Sequence, residues 1–266
     1  DLKVGNLYPN EFSKIVYDGL AKENKTPVTL IRGCWAGSQK YGTLVWSGDI
    51  DSSFGAFRNQ VNTGLNMSIA GNPWWTTDIG GFHGGNINNP EFRELMIRWF
   101  QYATFSPILR MHGDRQPHKK ALGTDGGGQC ESGADNEIWS YGEEAQKIFV
   151  KYIKIREKLK GYISQLFNET HNSGEPIMRP VFYDYPKDEV AWTVDNQYMF
   201  GSELLVAPIM YYKDRQRKVY LPSGNRWVDI NTEKVYEGGQ FVVIDAPLDS
   251  IPVLCKEDSY IKNLFL

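Results

Sequence analysis

The sequence predicts an α/β fold for residues 1–175 and an all-β sandwich for residues 176–266. In the first part, short apolar runs typical of strands alternate with longer segments whose apolar residues recur at helical spacing. In the second part, short extended runs are separated by turn sequences such as Pro-Ser-Gly-Asn at residues 222–225. Strands that alternate with helices form a parallel sheet with crossover connections, and four of them make half of an eight-stranded barrel or a small open sheet.

Local signals place the elements of the α/β part. Pro9 can open a helix at its first position, and Asn89–Pro90 supplies a cap and a first-turn residue for another helix. Glu143 lies in the first turn of a long helix whose apolar face we expect to run as far as Leu166. The strands of this part are predicted at residues 28–31, 43–46, 66–70 and 107–111.

The all-β part is predicted from runs of extended, apolar sequence between turns. Residues 113–141, which precede it, are polar and glycine-rich, and loops of that length inside a domain are usually functional or mobile. The extended runs are residues 198–210, 218–221, 226–230, 241–244 and 251–254.

Composition limits the classes of function. The net charge is −3 and no basic stripe stands out, which argues against nucleic acid as a partner. No run of about 18 apolar residues is present, so we expect no membrane-spanning helix. The three cysteines are odd in number and widely spaced, which fits reduced thiols better than a disulfide framework or a zinc site. We therefore expect a cytoplasmic protein.

One stretch suggests chemistry. Residues 43–50 are typical of a short strand that stops at Gly48 and presents the carboxylate of Asp49. Catalytic groups of α/β enzymes sit where strands end in loops, because the strand is rigid and the loop is open to substrate. A second stretch, residues 73–82, is rich in aromatic rings, whose faces stack on sugars. Together they indicate an enzyme that acts on sugars.

Every candidate residue also has a structural alternative. Asp49 could be a turn residue or a helix cap. Asp51 could equally be the acid by spacing, although residues 51–53 resemble a cap for the helix that begins near Phe54. The remaining candidates could be a strand-end charge, core aromatics and a loop histidine, namely Arg32, Trp46, Phe82 and His112.

Two other classes of function fit parts of the sequence. Asp49 and Asp51 could hold a divalent ion in a metal-dependent glycosyltransferase. The aromatic content, 14% of residues, would also suit a carbohydrate-binding protein without catalysis. These readings differ in whether activity needs Mg²⁺ or Mn²⁺ and in whether Asp49→Asn changes turnover.

The order of the motifs resembles glycoside hydrolase family 31, which contains α-glucosidases, α-xylosidases and related retaining enzymes. Two further stretches, residues 176–180 and 201–208, are similar to the family's exit from the barrel and its first C-terminal sandwich. The motifs that carry the resemblance are residues 6–9, 32–33, 46–49, 78–82 and 110–113.

The resemblance implies the C-terminal half of a (β/α)8 barrel followed by a β-sandwich, with an oligosaccharide as substrate and no metal or organic cofactor. It implies that Asp49 is the general acid/base, which protonates the leaving oxygen and later activates water. Asp78 matches an acidic position beside the sugar subsite, where its role is structural. The residues that match subsite positions are Arg32, Trp46, Phe82 and His112.

One departure from the family concerns the second carboxyl. The family's nucleophilic aspartate lies upstream of the Asn-x-Tyr-Pro motif, which here begins at Asn6. Glu11 and Asp18 do not match it, and neither does Asp1, which lies outside the residues that the structure describes. Retaining hydrolysis needs two carboxyls about 5–5.5 Å apart, with the acid kept protonated, as burial beside Trp46 would favour. We therefore expect this chain to lack the nucleophile and the N-terminal part of the enzyme, and to be inactive alone.

The expected activity of the whole enzyme is retaining release of α-xylosyl or α-glucosyl residues from oligosaccharide ends, with transglycosylation as the alternative within the family. The exposed edge of a half-barrel is an association hazard, so a homo-oligomer is also expected.

Overall fold

The computed structural model describes residues 4–265. Three-stranded, six-stranded and two-stranded sheets lie among the helices, and the element bounds follow. The helices are α1 (Tyr8–Lys22), α2 (Phe54–Ile69), α3 (Pro90–Thr104), α4 (Glu143–Lys158), α5 (Lys160–Ser173) and α6 (Val181–Asp184). The first strands are β1 (Thr29–Ile31), β2 (Thr43–Trp46), β3 (Trp75–Thr76), β4 (Gly85–Asn86) and β5 (Arg115–Gln116). The later strands are β6 (Met178–Pro180), β7 (Tyr198–Phe200), β8 (Leu204–Val206), β9 (Gln216–Leu221), β10 (Arg226–Asp229), β11 (Val235–Glu237), β12 (Gln240–Asp245) and β13 (Val253–Lys256).

The α/β part is built on a parallel sheet in the order β1-β2-β3. The helix α2 connects β2 to β3, and it starts where Ser53 accepts a hydrogen bond from the backbone N–H of Ala56 at 3.0 Å. Asn89 caps α3 in the same way, with Pro90 at the first helical position. Parallel strands joined through helices place their carboxyl ends at one edge of the sheet, and that edge carries the candidate site.

Three predicted elements are wrong. Residues 66–70 are not a strand, because α2 continues through Ile69 and the third strand begins only at Trp75. The single long helix is two helices that meet at Leu159. Residues 107–111 form no strand: Pro107 has no N–H to donate, and the oxygen of Ile108 accepts from the Thr76 hydroxyl at 3.0 Å.

The second part consists of antiparallel strands. The six-stranded sheet has the order β11-β10-β13-β8-β7-β6, and β9 pairs with β12 in a separate ladder. Apolar side chains from both sheets form one buried cluster, which includes Leu205, Leu254, Val219 and Ile244. The two sheets therefore pack face to face around a common core.

The two parts share a second, larger core. Side chains of α3 and α4 lie in one buried cluster with side chains of β6, β7 and β8. Arg98 of α3 crosses this boundary: its buried guanidinium donates to the backbone oxygens of Ser250 at 2.8 Å and Ala246 at 2.9 Å. Burial lowers the pKa of Arg98 to about 10, partly offset by the nearby carboxylate of Glu94.

Within residues 4–265, no helix has the length and apolar character needed to cross a membrane. All three cysteines are free thiols, as the sequence predicts.

Helix α1 presents its apolar residues to solvent. Ser13 is its only buried side chain among the residues the structure describes, whereas Ile15 is 70% exposed and Phe12 is 43% exposed. Strand β1, which follows α1, also leaves Leu30 partly exposed. Soluble proteins rarely leave contiguous apolar surface uncovered, so this face is a candidate contact surface.

We expect the isolated chain to self-associate through α1. Ile15→Lys should lower the dimer fraction in sedimentation velocity, because a lysine in that contact would have to be desolvated. Leu122→Lys is the matched control, since Leu122 is 92% exposed and lies outside α1. Equal dimer fractions for the two variants would contradict this assignment.

Candidate active site

Asp49 lies just beyond the carboxyl end of β2, at the edge where loops follow the strands. One of its carboxylate oxygens, Oδ2, accepts a hydrogen bond from Nη1 of Arg32 at 3.3 Å. Both side chains are open to solvent, with 41% of Asp49 and 65% of Arg32 exposed. Arg32 follows β1, so this ion pair joins the loops of two neighbouring parallel strands.

Asp78 follows β3 and is fully buried. Its Oδ1 accepts from Nη1 of Arg110, whose guanidinium lies 5.8 Å from the centre of the Trp46 ring. Its other oxygen, Oδ2, has no hydrogen-bond partner within the described range. Burial raises the pKa of Asp78, and the charge of Asp49 raises it further, while Arg110 and His112 act in the opposite direction.

Phe82 and His112 form an aromatic pair in the candidate site. Their ring centres are 5.4 Å apart, Phe82 is half-buried and His112 is exposed. Phe82 N–H donates to the oxygen of Ile50 at 2.7 Å, and its own oxygen accepts from Asp114 N–H at 2.9 Å. The loop after β3 is thus bonded on one side to the loop that carries Asp49 and on the other to the loop that carries His112.

Two glycines let the loop after β3 turn back on itself. Gly80 and Gly81 have φ angles of +85° and +77°, which side chains strain to adopt. A Cβ on Gly81 would also lie 2.5 Å from the backbone oxygen of Asp51. Only glycine fits at such a position, so the close contact between the backbones of residues 81 and 51 requires glycine at residue 81.

Arg115 joins the loop after β3 to the loop that carries His112. Its fully buried guanidinium donates to the oxygens of Ile79 and Gly81, each at 2.8 Å, and to that of His112 at 3.2 Å. Its Nε donates to the phenolic oxygen of Tyr141 at 3.1 Å. The planar fork of arginine can reach several carbonyls at once, which an ammonium group cannot do.

The structure brings the predicted residues together in two groups. Arg32 contacts Asp49, and Phe82 contacts His112. Asp78 belongs to neither group and pairs with Arg110 instead. Trp46 is half-buried beside Arg110.

Within residues 4–265, Asp49 is exposed and contacts Arg32, so this part of the chain does not itself bury the carboxylate beside Trp46.

Two functional contributors were not recognised as such in the sequence. Arg110 lies inside one of the motifs, but its pairing with a buried carboxylate depends on a contact 32 residues away. Arg115 gives no local signal, since an arginine in a polar loop is usually on the surface.

Residues 4–265 contain no group of three or more metal-binding side chains of the His, Cys, Asp or Glu type. Asp51 forms an isolated bridge with His83 and does not join Asp49 in such a group. The donor set for a divalent ion held by Asp49 and Asp51 is therefore not assembled in this part of the chain.

Comparison with known families identifies the two parts of the chain. The model of the glycosyl hydrolases family 31 TIM-barrel domain matches residues 1–166, and that of the family 31 C-terminal domain matches residues 174–261. The chain belongs to glycoside hydrolase family 31. The predicted fold, a C-terminal part of the TIM barrel followed by a β domain, is confirmed.

Family 31 relatives match nearly all of this chain, whereas the chain covers only part of them. A soil-metagenome α-xylosidase, whose crystal structure contains xylose, has a TM-score of 0.97 and 49% identity over 100% of this chain and 40% of its own. The α-xylosidase of Saccharolobus solfataricus is 37% identical over 99% of this chain and 35% of its own length. Alpha-glucosidase 2 of Bacillus thermoamyloliquefaciens is 33% identical over 96% of this chain and 30% of its own length. The chain thus spans about a third of these curated relatives.

Replacing Arg115 by lysine should destabilise this family 31 chain. A lysine ammonium cannot reach the three loop oxygens together, so buried carbonyls lose their donors at a cost of about 3 kcal/mol in the free energy of unfolding. The measurement is urea unfolding followed by tryptophan fluorescence. Arg32→Lys is the control, because that exposed arginine should change the value by less than about 0.5 kcal/mol. Equal midpoints for both variants would contradict the role of Arg115.

Proposed function

We propose that this chain supplies the general acid/base of a retaining α-glycoside hydrolase, and that Asp49 is that group. The observation that carries the proposal is the position of Asp49, solvent-accessible at the end of β2 and in contact with Arg32. A proton donor to a glycosidic oxygen must be reachable by substrate, and Asp49 meets this requirement. Arg32 and His112 can donate hydrogen bonds to sugar hydroxyls, and Trp46 and Phe82 offer ring faces.

The second carboxyl of the mechanism is not Asp78. Its carboxylate is fully buried and paired with Arg110, so it cannot approach a sugar carbon. A nucleophile needs access to the anomeric carbon from the face opposite the leaving group. We therefore propose that the nucleophile comes from a part of the whole enzyme that lies outside this chain, and that Asp78 has a structural role.

The proposed substrates are oligosaccharides with α-xylosyl or α-glucosyl ends. Support comes from the names of the relatives, which include α-xylosidases and an α-glucosidase. An exposed site lined by rings and donors suits a terminal sugar residue. Transfer to a second sugar uses the same acid/base, so product analysis must count both hydrolysis and transfer.

Asp49→Ala in the whole enzyme should lower kcat/KM on an oligosaccharide by about 10²–10⁴-fold. The loss should be much smaller on an aryl glycoside, because a good leaving group needs no protonation. Azide should restore turnover by attacking the glycosyl-enzyme in place of activated water. Asp51→Ala is the matched control and should stay within a few-fold of wild type. Equal loss on the two substrates without azide rescue would exclude the acid/base role.

The isolated chain of residues 1–266 should release no measurable sugar from p-nitrophenyl α-xyloside or α-glucoside. The aryl leaving group removes the need for an acid, so this assay reports the missing nucleophile. Circular dichroism would establish that the sample is folded. Robust turnover that survives Asp49→Ala would show that a second carboxyl is present in the chain.

A further inference from the structure

A groove of about 420 Å³ lies between α5 and the six-stranded sheet, outside the site described above. It sits where the α/β part meets the β part, and such junctions are frequent locations of ligand sites. Its walls come from α5, from the turn between β7 and β8, and from residues 256–260 at the end of β13. Polar side chains dominate the lining, and one aromatic ring, that of Tyr260, is 57% exposed.

The groove lies away from Asp49. Phe167 of α5 stacks on Trp74 with ring centres 5.0 Å apart, and Trp74 immediately precedes β3. This part of α5 therefore packs at the amino end of the parallel strands. Asp49 follows β2 and belongs to the opposite, carboxyl end.

The lining side chains hold one another in place. The hydroxyl of Tyr260 donates to Oε1 of Gln165 at 2.8 Å, and Nε2 of Gln165 donates to Oε1 of Glu169 at 2.8 Å. Ile261, fully buried next to Tyr260, anchors the turn in the core. Tyr260 thus presents a ring face in a fixed orientation, which lowers the entropy lost on binding.

The charges of the lining select the class of ligand. Three anionic side chains line the groove, Glu169, Glu203 and Asp258, against one cationic side chain, Lys256, whose Nζ lies 3.9 Å from Glu203. Burial, together with Glu203 and Glu169, raises the pKa of Tyr260, so its hydroxyl stays protonated at neutral pH. An anionic ligand is disfavoured by this excess of negative charge. A neutral ligand rich in hydroxyl donors suits the acceptors on the wall.

We propose that this groove is a second, non-catalytic binding site for a neutral oligosaccharide. One sugar ring would stack on the face of Tyr260, and its hydroxyls would donate to Glu169 and Glu203. The site would hold one part of a sugar chain on the enzyme while the Asp49 site acts elsewhere. The inference stands on the groove alone and does not require Asp49 to be the acid/base.

The test uses the 266-residue chain and maltoheptaose as the probe, with saturation-transfer NMR and isothermal titration calorimetry. Wild type should bind, and Tyr260→Ala should weaken binding by roughly tenfold or more, as expected when an aromatic contact of about 1.4 kcal/mol is lost. Tyr260→Phe should keep most of the affinity, because it keeps the ring. Tyr211→Ala is the matched control: Tyr211 is 52% exposed and does not line the groove.

Glu169→Ala, on α5, provides a second variant: it removes a proposed acceptor for the sugar hydroxyls while leaving Tyr260 and its bond to Gln165 in place, and it should also weaken binding. Asp49→Ala should leave this affinity unchanged, which separates the groove from the proposed function. Equal affinity of wild type and Tyr260→Ala, or no heat and no saturation transfer at 20 mM probe (a concentration about 20-fold above a millimolar Kd), would overturn the proposal. Binding of spermidine in place of maltoheptaose would overturn it as well, because it would identify a site for cations.

Discussion

The active-site edge depends on one buried guanidinium, that of Arg115. Burying a charge is costly unless hydrogen bonds replace water, and here the replacements are backbone oxygens of the loops that carry Phe82 and His112. The glycines around it follow from the same constraint. A Cβ on Gly113 would lie 2.5 Å from the Arg115 guanidinium carbon, and one on Gly80 would lie 3.3 Å from Nη2. Together, Arg115, Gly80 and Gly113 fix the positions of Phe82 and His112.

Two other arginines also donate to backbone oxygens in segments that form no strand ladder. The half-buried side chain of Arg156 in α4 donates to the oxygens of Ser106 at 2.6 Å and Pro107 at 2.7 Å, and desolvation lowers its pKa to about 10. Arg98 does the same for the segments that enter β13. Side-chain donors thus take the place of a strand ladder in segments that a proline or a long loop keeps out of regular pairing. The bonds of Arg98 join α3 to residues 246–250, so they tie the barrel part to the β part.

The elements that the sequence predicts correctly are those with local signals. Strand β2, the Ser53 cap and the Asn89–Pro90 start of α3 each depend on a few neighbouring residues. The errors arise where distant contacts decide. Periodicity cannot show that α2 runs on through residues 66–69, or that carbonyls of residues 106–108 bond to arginine and threonine side chains rather than to a strand. The motifs identify Arg32, Asp49, Phe82 and His112 as candidate site residues. The burial of Arg115 and the exposure of Asp49 have no local signature in the sequence.

The exposed apolar face of α1 and the exposed Asp49–Arg32 pair are connected features. Helix α1 leads into β1, β1 leads into Arg32, and β1 pairs with β2 on one side, with no further strand on its other side within residues 4–265. A protein layer placed against that edge would bury the apolar residues of α1 and also exclude water from the ion pair. Removing water from the Asp49–Arg32 pair would strengthen the attraction between the two charges. Covering this edge would therefore stabilise the fold and hold Asp49 more firmly against Arg32 in the same step.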